Sequence, residues 1–176
     1  MSTPTETDAA EAAHHGPVQR SAARVYDKGG WPVTALEDGT GFTMEVEGTD
    51  GAWSALAITD DDADRFVFYS LLPVDPAPER WPAMAEALHR INHGLVTAAF
   101  EFDHDTGEAR LRTGIELITL PRDVLDDDDL LDAIINDLSA ANVEIFDRYL
   151  SGLVAVSLGA DPAEVVAEIE ADPDDD

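Results

Sequence analysis

The chain has 176 residues, of which 38 are acidic and 10 basic, for a formal charge of −28. The basic residues are a single lysine, Lys28, and nine arginines, against 24 aspartates and 14 glutamates. So negative a surface repels phosphate and argues against direct binding to DNA, RNA or an anionic membrane. The absence of cysteine excludes disulfides, thiol catalysis and cysteine-ligated metal centres.

Strong acidity can signal disorder, but 44% hydrophobic content with regular apolar spacing describes a folded domain under an acidic coat. Aspartate-rich, lysine-poor usage suits a salt-accumulating cytoplasm, where the Debye length falls to about 3 Å near 1 M salt. Solvent cations then associate loosely with the coat. No apolar stretch is long enough to span a membrane, and the N-terminus lacks a signal peptide's basic start and apolar run. The expected location is therefore the cytoplasm.

Residues 1–16 hold almost no large apolar side chain and read as a disordered acidic tail, with His14 and His15 solvated. A single domain is expected over 17–171, followed by a second acidic tail over 172–176. Val18 to Lys28 has a short helix's spacing and ends at Gly29-Gly30. Trp31 to Leu36 reads as a strand. Gly41 to Glu47 alternates, with Phe42, Met44 and Val46 on one face. Gly48 to Gly51 signals a turn, and Ala52 to Thr59 is the next strand. Arg65 to Leu72 is apolar on both faces, as in a central strand.

Three prolines between Pro73 and Pro78 break the sheet pattern. Trp81, Met84, Leu88, Ile91 and Leu95 then recur at helical steps. Asn92-His93-Gly94 looks like a left-handed C-cap. Leu95 to Asp103 and Glu108 to Ile118 form a hairpin around His104 to Gly107, with Val96 in phase with Ala98, Phe100 and Phe102. Asp126 to Asp129 opens a helical pattern of about 28 residues, roughly 42 Å, to Leu158, where a kink near Ser139 to Asn142 is allowed. Asp161 and Pro162 start a last short helix.

No catalytic constellation stands out. His89 and His93 lie four apart on a helix, but the pattern lacks the glutamate of a metalloprotease motif. Asp103 to Glu108 resembles the start of a calcium loop but lacks its closing glutamate, and a hairpin turn is simpler. Asp60 to Asp64 and Asp126 to Asp129 read as solvated surface. No serine sits in a Gly-x-Ser-x-Gly elbow, and Gly39-Thr40-Gly41 precedes a strand, so it cradles no phosphate. The expectation is therefore no enzyme, no cofactor and no metal.

What remains is apolar surface. Trp53, Phe66, Phe68, Phe100 and Phe102 are the candidate partner or dimer face if the helices leave them uncovered. Otherwise they are core.

Four segments carry a family resemblance: Phe66 to Pro73 (FVFYSLLP), Trp81 to Gly94 (WPAMAEALHRINHG), Phe100 to Leu117 (FEFDHDTGEARLRTGIEL) and Ile145 to Gly159 (IFDRYLSGLVAVSLG). Together they resemble the YbjN domain, which belongs with the type III secretion chaperone-like fold. The resemblance implies an α+β fold in which helices pack on an antiparallel sheet of five to six strands, in the order α-β-β-β-α-β-β-α. It also implies a non-enzymatic, dimeric, protein-binding or regulatory module, with no catalytic or metal residue to carry over and a protein partner that is unknown. The alternative is a domain with a small-molecule or metal pocket between sheet and helices.

Overall fold

The computed structural model describes residues 16–125 and 127–171. The readings of the tails at 1–15 and 172–176, with His14, His15 and Asp126, lie outside the described residues. The order is α1 (Pro17–Gly29), β1 (Val33–Ala35), β2 (Gly41–Glu47), β3 (Ala52–Asp60), β4 (Arg65–Leu71), a 3-10 turn (Pro78–Arg80), α2 (Trp81–Asn92), β5 (Ala98–Phe102), β6 (Ala109–Glu116), α3 (Arg122–Leu125), α4 (Asp128–Leu158) and α5 (Pro162–Glu170). The six strands form one antiparallel sheet in the order β1-β2-β3-β4-β6-β5. The expected α+β class and element order both hold.

The alternation of β2, β3, β4 and β6 sends one phase of side chains under the helices. Phe42, Met44, Trp53, Ala55, Ala57, Phe66, Phe68 and Leu111 are all buried. α4 covers the middle of this face and α1 one side. Trp53 and Phe100 meet Phe146 of α4 at ring distances of 5.1 and 6.2 Å. Tyr26 of α1 stands edge-on to Phe42 at 5.4 Å. Polar pairs set the fit: the Thr59 hydroxyl donates to the Gln19 side-chain oxygen, and the Trp53 indole donates to Ser70 at 2.9 Å. Tyr26 and Ser139 share a 3.1 Å hydrogen bond, and burial pushes the Tyr26 phenol's pKa up.

The acidic residues hold the helix ends. Asp127 accepts from the Leu130 amide at 3.1 Å and caps α4, which then runs unbroken for 31 residues through the stretch where a kink was allowed. Asp161 accepts from the amides of Ala163 and Glu164, with Pro162 at the first position of α5. The loop at 60–64 departs from the solvated reading. Asp61 reaches 43 to 45 residues back to accept from Gly16 and Val18 and so caps α1. Asp60 pairs with Arg65 at 2.8 Å. Asp64 is only 1% exposed, has a φ of 46° and pairs with Arg122 at 2.9 Å. A solvated acidic run was expected because spacing alone does not show which helix end lies across the fold.

Asp132 joins α4 to α1. Its carboxylate accepts from Ser21 at 2.6 Å, Arg24 at 2.8 Å and Lys28 at 3.0 Å. Burial pushes its pKa up, but the hydrogen bonds from Arg24, Ser21 and Lys28 outweigh burial and bring it to about 2. A carboxyl depressed in the folded state stabilises the fold above its unfolded pKa, near 3.8, and that gain disappears as the pH falls toward about 2. Asp132→Asn is therefore expected to cost up to about 2 kcal/mol near neutrality, less at high salt. Chemical denaturation of both proteins from pH 6 to about 2 checks this: the stability gap closes as the pH falls, and a constant gap refutes the charge-dependent tie.

Candidate binding face

The five aromatics singled out from the sequence are not an exposed surface. Trp53, Phe66, Phe68 and Phe100 are between 0 and 5% exposed beneath α1 and α4. Only Phe102 is half-buried, packed against Trp81 at 6.1 Å and His104 at 4.9 Å. They share the strand phase that points at the helices, and the long α4 covers more sheet than its sequence stripe suggests. The space between sheet and helices, where the alternative reading put a pocket, is occupied by these rings.

Among the described residues the opposite strand phase is uncovered. Leu56 and Ile58 of β3, Val67, Tyr69 and Leu71 of β4, and Arg110, Arg112 and Gly114 of β6 face away from the helices and are half-buried. The signal lay in β4, whose two apolar faces need two covers while the helices supply one. Around Gly114 the face sinks into a hollow of about 460 Å³ lined by Ile58, Arg65, Val67, Tyr69, Arg112 and Glu116. A Cβ at Gly114 would come within 2.9 Å of the Phe66 carbonyl oxygen, so glycine lets the backbone form the floor.

Charges frame the hollow in alternation. Arg65 bonds Asp60 at 2.8 Å and Glu116 at 3.5 Å. Glu101 of β5 accepts from Arg112 at 2.6 Å and Arg110 at 2.9 Å. Burial pushes the Glu101 pKa up, and these two arginines outweigh it and bring it below the ordinary value. The Arg110 guanidinium also lies 4.5 Å over the Tyr69 ring. Asp60, Glu101 and Glu116 thus match Arg65, Arg110 and Arg112 on one face of a chain that carries −28.

The sheet's edge beside this face is closed by a residue whose role the sequence did not reveal. The Asn92 side chain accepts from the Phe100 amide at 2.7 Å and donates to the Phe100 carbonyl at 2.9 Å. It occupies the place of a neighbouring strand on β5. The expected left-handed cap is absent: α2 ends on His93 with φ −63°, and Asn92 has turned its amide to the strand. The intervening bend also delays the strand to Ala98 and leaves Val96 96% exposed, outside the strand in which it was expected in phase with Ala98, Phe100 and Phe102.

The other sequence candidates have local roles. His89 and His93 line an outer groove between α2 and α5 with Arg90 and Glu170. Among the described residues no three histidines, aspartates or glutamates gather as metal ligands. Asp103 accepts from the amides of Asp105 at 2.7 Å and Thr106 at 3.4 Å, and Gly107 has φ 85°, which makes 103–108 a hairpin turn. No helix among the described residues is long and apolar enough to cross a membrane.

The architecture is thus an α+β domain whose helices cover one face of an antiparallel sheet and, among the described residues, leave the other, charge-balanced face open. A family model, YbjN, described as "Putative bacterial sensory transduction regulator", matches residues 23–142, and the chain belongs to that family. No curated protein matches the chain. A solved structure, "Crystal Structure of the ExsC-ExsE Complex", superposes with a TM-score of 0.36 at 17% identity, covering 76% of this chain and 92% of that chain. At that level of superposition the match bears on neither the site nor its partner.

Asn92→Ala leaves two backbone groups of Phe100 without partners. It is expected to cost about 1–3 kcal/mol and to open the β5 edge to a second copy. Denaturant unfolding and light scattering check this together. Unchanged stability with no added self-association refutes the edge role.

Proposed function

We propose that this chain is a non-catalytic regulator that binds a partner protein through the open face of its sheet. The observation that carries the reading is the uncovered strand phase: Leu56, Ile58, Val67, Tyr69 and Leu71 share the open face, and Ile58, Val67 and Tyr69 line the Gly114 hollow, beside three acid–arginine sets. An apolar centre with a polar, charge-balanced rim is the anatomy of a protein interface. The family's description as a regulator agrees with binding rather than turnover. In this reading residues 17–171 act as one folding unit in a salt-rich cytoplasm.

The test is a crosslinking pull-down in molar salt with wild type and with the double variant Val67→Ser plus Tyr69→Ala. A protein that wild type captures and the variant loses, at nearly equal melting temperature, is the expected result. Equal capture by both, or capture by neither, overturns the reading. The mass of the crosslinked species also shows whether the captured protein is a second copy of the chain.

The salt-rich setting has its own test. Unscreened carboxylates repel, so the melting temperature is expected to fall as KCl drops from about 2 M to about 0.1 M. A constant melting temperature across that range refutes the setting and leaves the binding face standing.

A further inference from the structure

The chemistry of the hollow specifies what a contacting segment carries, an inference that rests on the open face being a protein-binding surface. We propose that the Gly114 hollow receives an apolar side chain from an acidic segment of the partner, and that a carboxylate of the same segment lies on the Arg112 side chain at the hollow's rim.

The arginines around the hollow differ in how fully they are engaged. Arg65 is held by two carboxylates, Asp60 and Glu116. Arg110 is held by Glu101 and Glu108 and lies over the Tyr69 ring. Arg112 is engaged differently: its one contact among the described residues is from Nε to Glu101 at 2.6 Å. Its two terminal nitrogens keep the planar fork that grips a carboxylate through two parallel hydrogen bonds. The register places Arg112 between Tyr69 and Ala99, and the small side chain of Ala99 leaves that flank open. The Tyr69 hydroxyl, also without a hydrogen-bond partner among the described residues, lines the same hollow.

The floor suits an apolar group. Ile58 and Val67 meet there, and the missing side chain of Gly114 gives a depth of one residue. An extended segment with an apolar and an acidic residue two positions apart, which share one face, can therefore set the apolar side chain over Gly114 and the carboxylate on the Arg112 fork. A lysine or arginine in the same place would meet the Arg112 guanidinium, while Glu116, the acid that lines the hollow, already engages Arg65 at 3.5 Å. Local complementarity thus opposes the chain's overall charge of −28, which attracts cations at long range. Salt separates the two effects, because it screens the distant repulsion far more than the direct pair.

The experiment titrates the full, ¹⁵N-labelled chain with a capped Ser-Leu-Ser-Glu-Ser peptide in about 1 M KCl and follows the Gly114 amide resonance. Peptides with glutamine or lysine in place of glutamate serve as comparisons. Saturable shifts with the glutamate peptide are expected, with binding weaker by about tenfold or more for the other two peptides and for Arg112→Gln. Affinity for the glutamate peptide is also expected to fall when KCl is lowered to about 0.2 M. Arg112→Gln changes a partly exposed side chain, and a dispersed spectrum shows that its fold is intact. Glutamine or lysine peptides that bind as tightly, or an Arg112→Gln protein with full affinity, overturn the carboxylate site and leave the protein-binding face intact. Absence of any Gly114 shift also overturns the site. The face itself falls only if partner capture is the same in wild type and the Val67, Tyr69 variant.

Discussion

The placement of α4 on the sheet depends on one buried amide. Asn142 is fully enclosed, and its nitrogen lies 3.1 Å from the Phe68 carbonyl, 3.3 Å from the Leu111 carbonyl and 3.3 Å from the Thr113 hydroxyl. Thr113 in turn donates to the Leu138 carbonyl at 2.9 Å. An apolar contact tolerates a slide along the sheet, whereas a buried donor does not, because any slip leaves it unpaired. With this residue fixed, Phe146 one turn later meets Trp53 and Phe100, and Ser139 one turn earlier meets Tyr26. The Asn142 oxygen has no partner among the described residues, so the arrangement carries a cost that the rest of the core offsets.

From that one contact follows the asymmetry of the molecule. A 31-residue helix locked across β4 and β6 takes one strand phase into the core and commits α1 to the same side through Tyr26 and Asp132. α2 and α5 close the end of that side. Arg80 at the start of α2 donates to the Val156 carbonyl at 2.8 Å and the Ala160 carbonyl at 2.7 Å, past the end of α4. The other sheet face keeps its apolar residues half-buried, with no helix over them among the described residues. The acidic residues do two kinds of work in this arrangement. Some are solvated coat, while Asp61, Asp127, Asp132 and Asp161 supply helix caps and the tie between helices.

Much of the fold was legible in the sequence because it is written in local periodicity. The alternation of 41–47, the two-faced apolar run of 65–72, the helical steps from Trp81 and the Asp161-Pro162 start all became elements close to their expected bounds. The site was legible only in part. The sequence left Trp53, Phe66, Phe68, Phe100 and Phe102 open between core and partner face, because periodicity has no term for which face a helix covers. Asn92 read as a cap because asparagine at a helix end usually is one. Its partner Phe100 lies eight residues on, and no local pattern marks a side chain that imitates a strand. Asp64 and Asp61 were misread as coat for the same reason, since their partners Arg122 and the start of α1 are distant in sequence.

The closed edges of the sheet have a consequence for how copies of this chain share a crowded solution. Mutual repulsion keeps highly charged proteins apart in dilute buffer, but concentrated salt removes that protection. Lateral growth of a sheet then has to be stopped by geometry. At one end the sheet finishes in β1, only three residues long, and at the other the Asn92 amide already occupies the backbone groups of Phe100. Among the described residues, one margin is thus too short and the other is interrupted at Phe100, and both work against templating a fibril. Hydrogen-bond termination at the borders of the sheet works against lateral growth, and it persists where electrostatic repulsion does not.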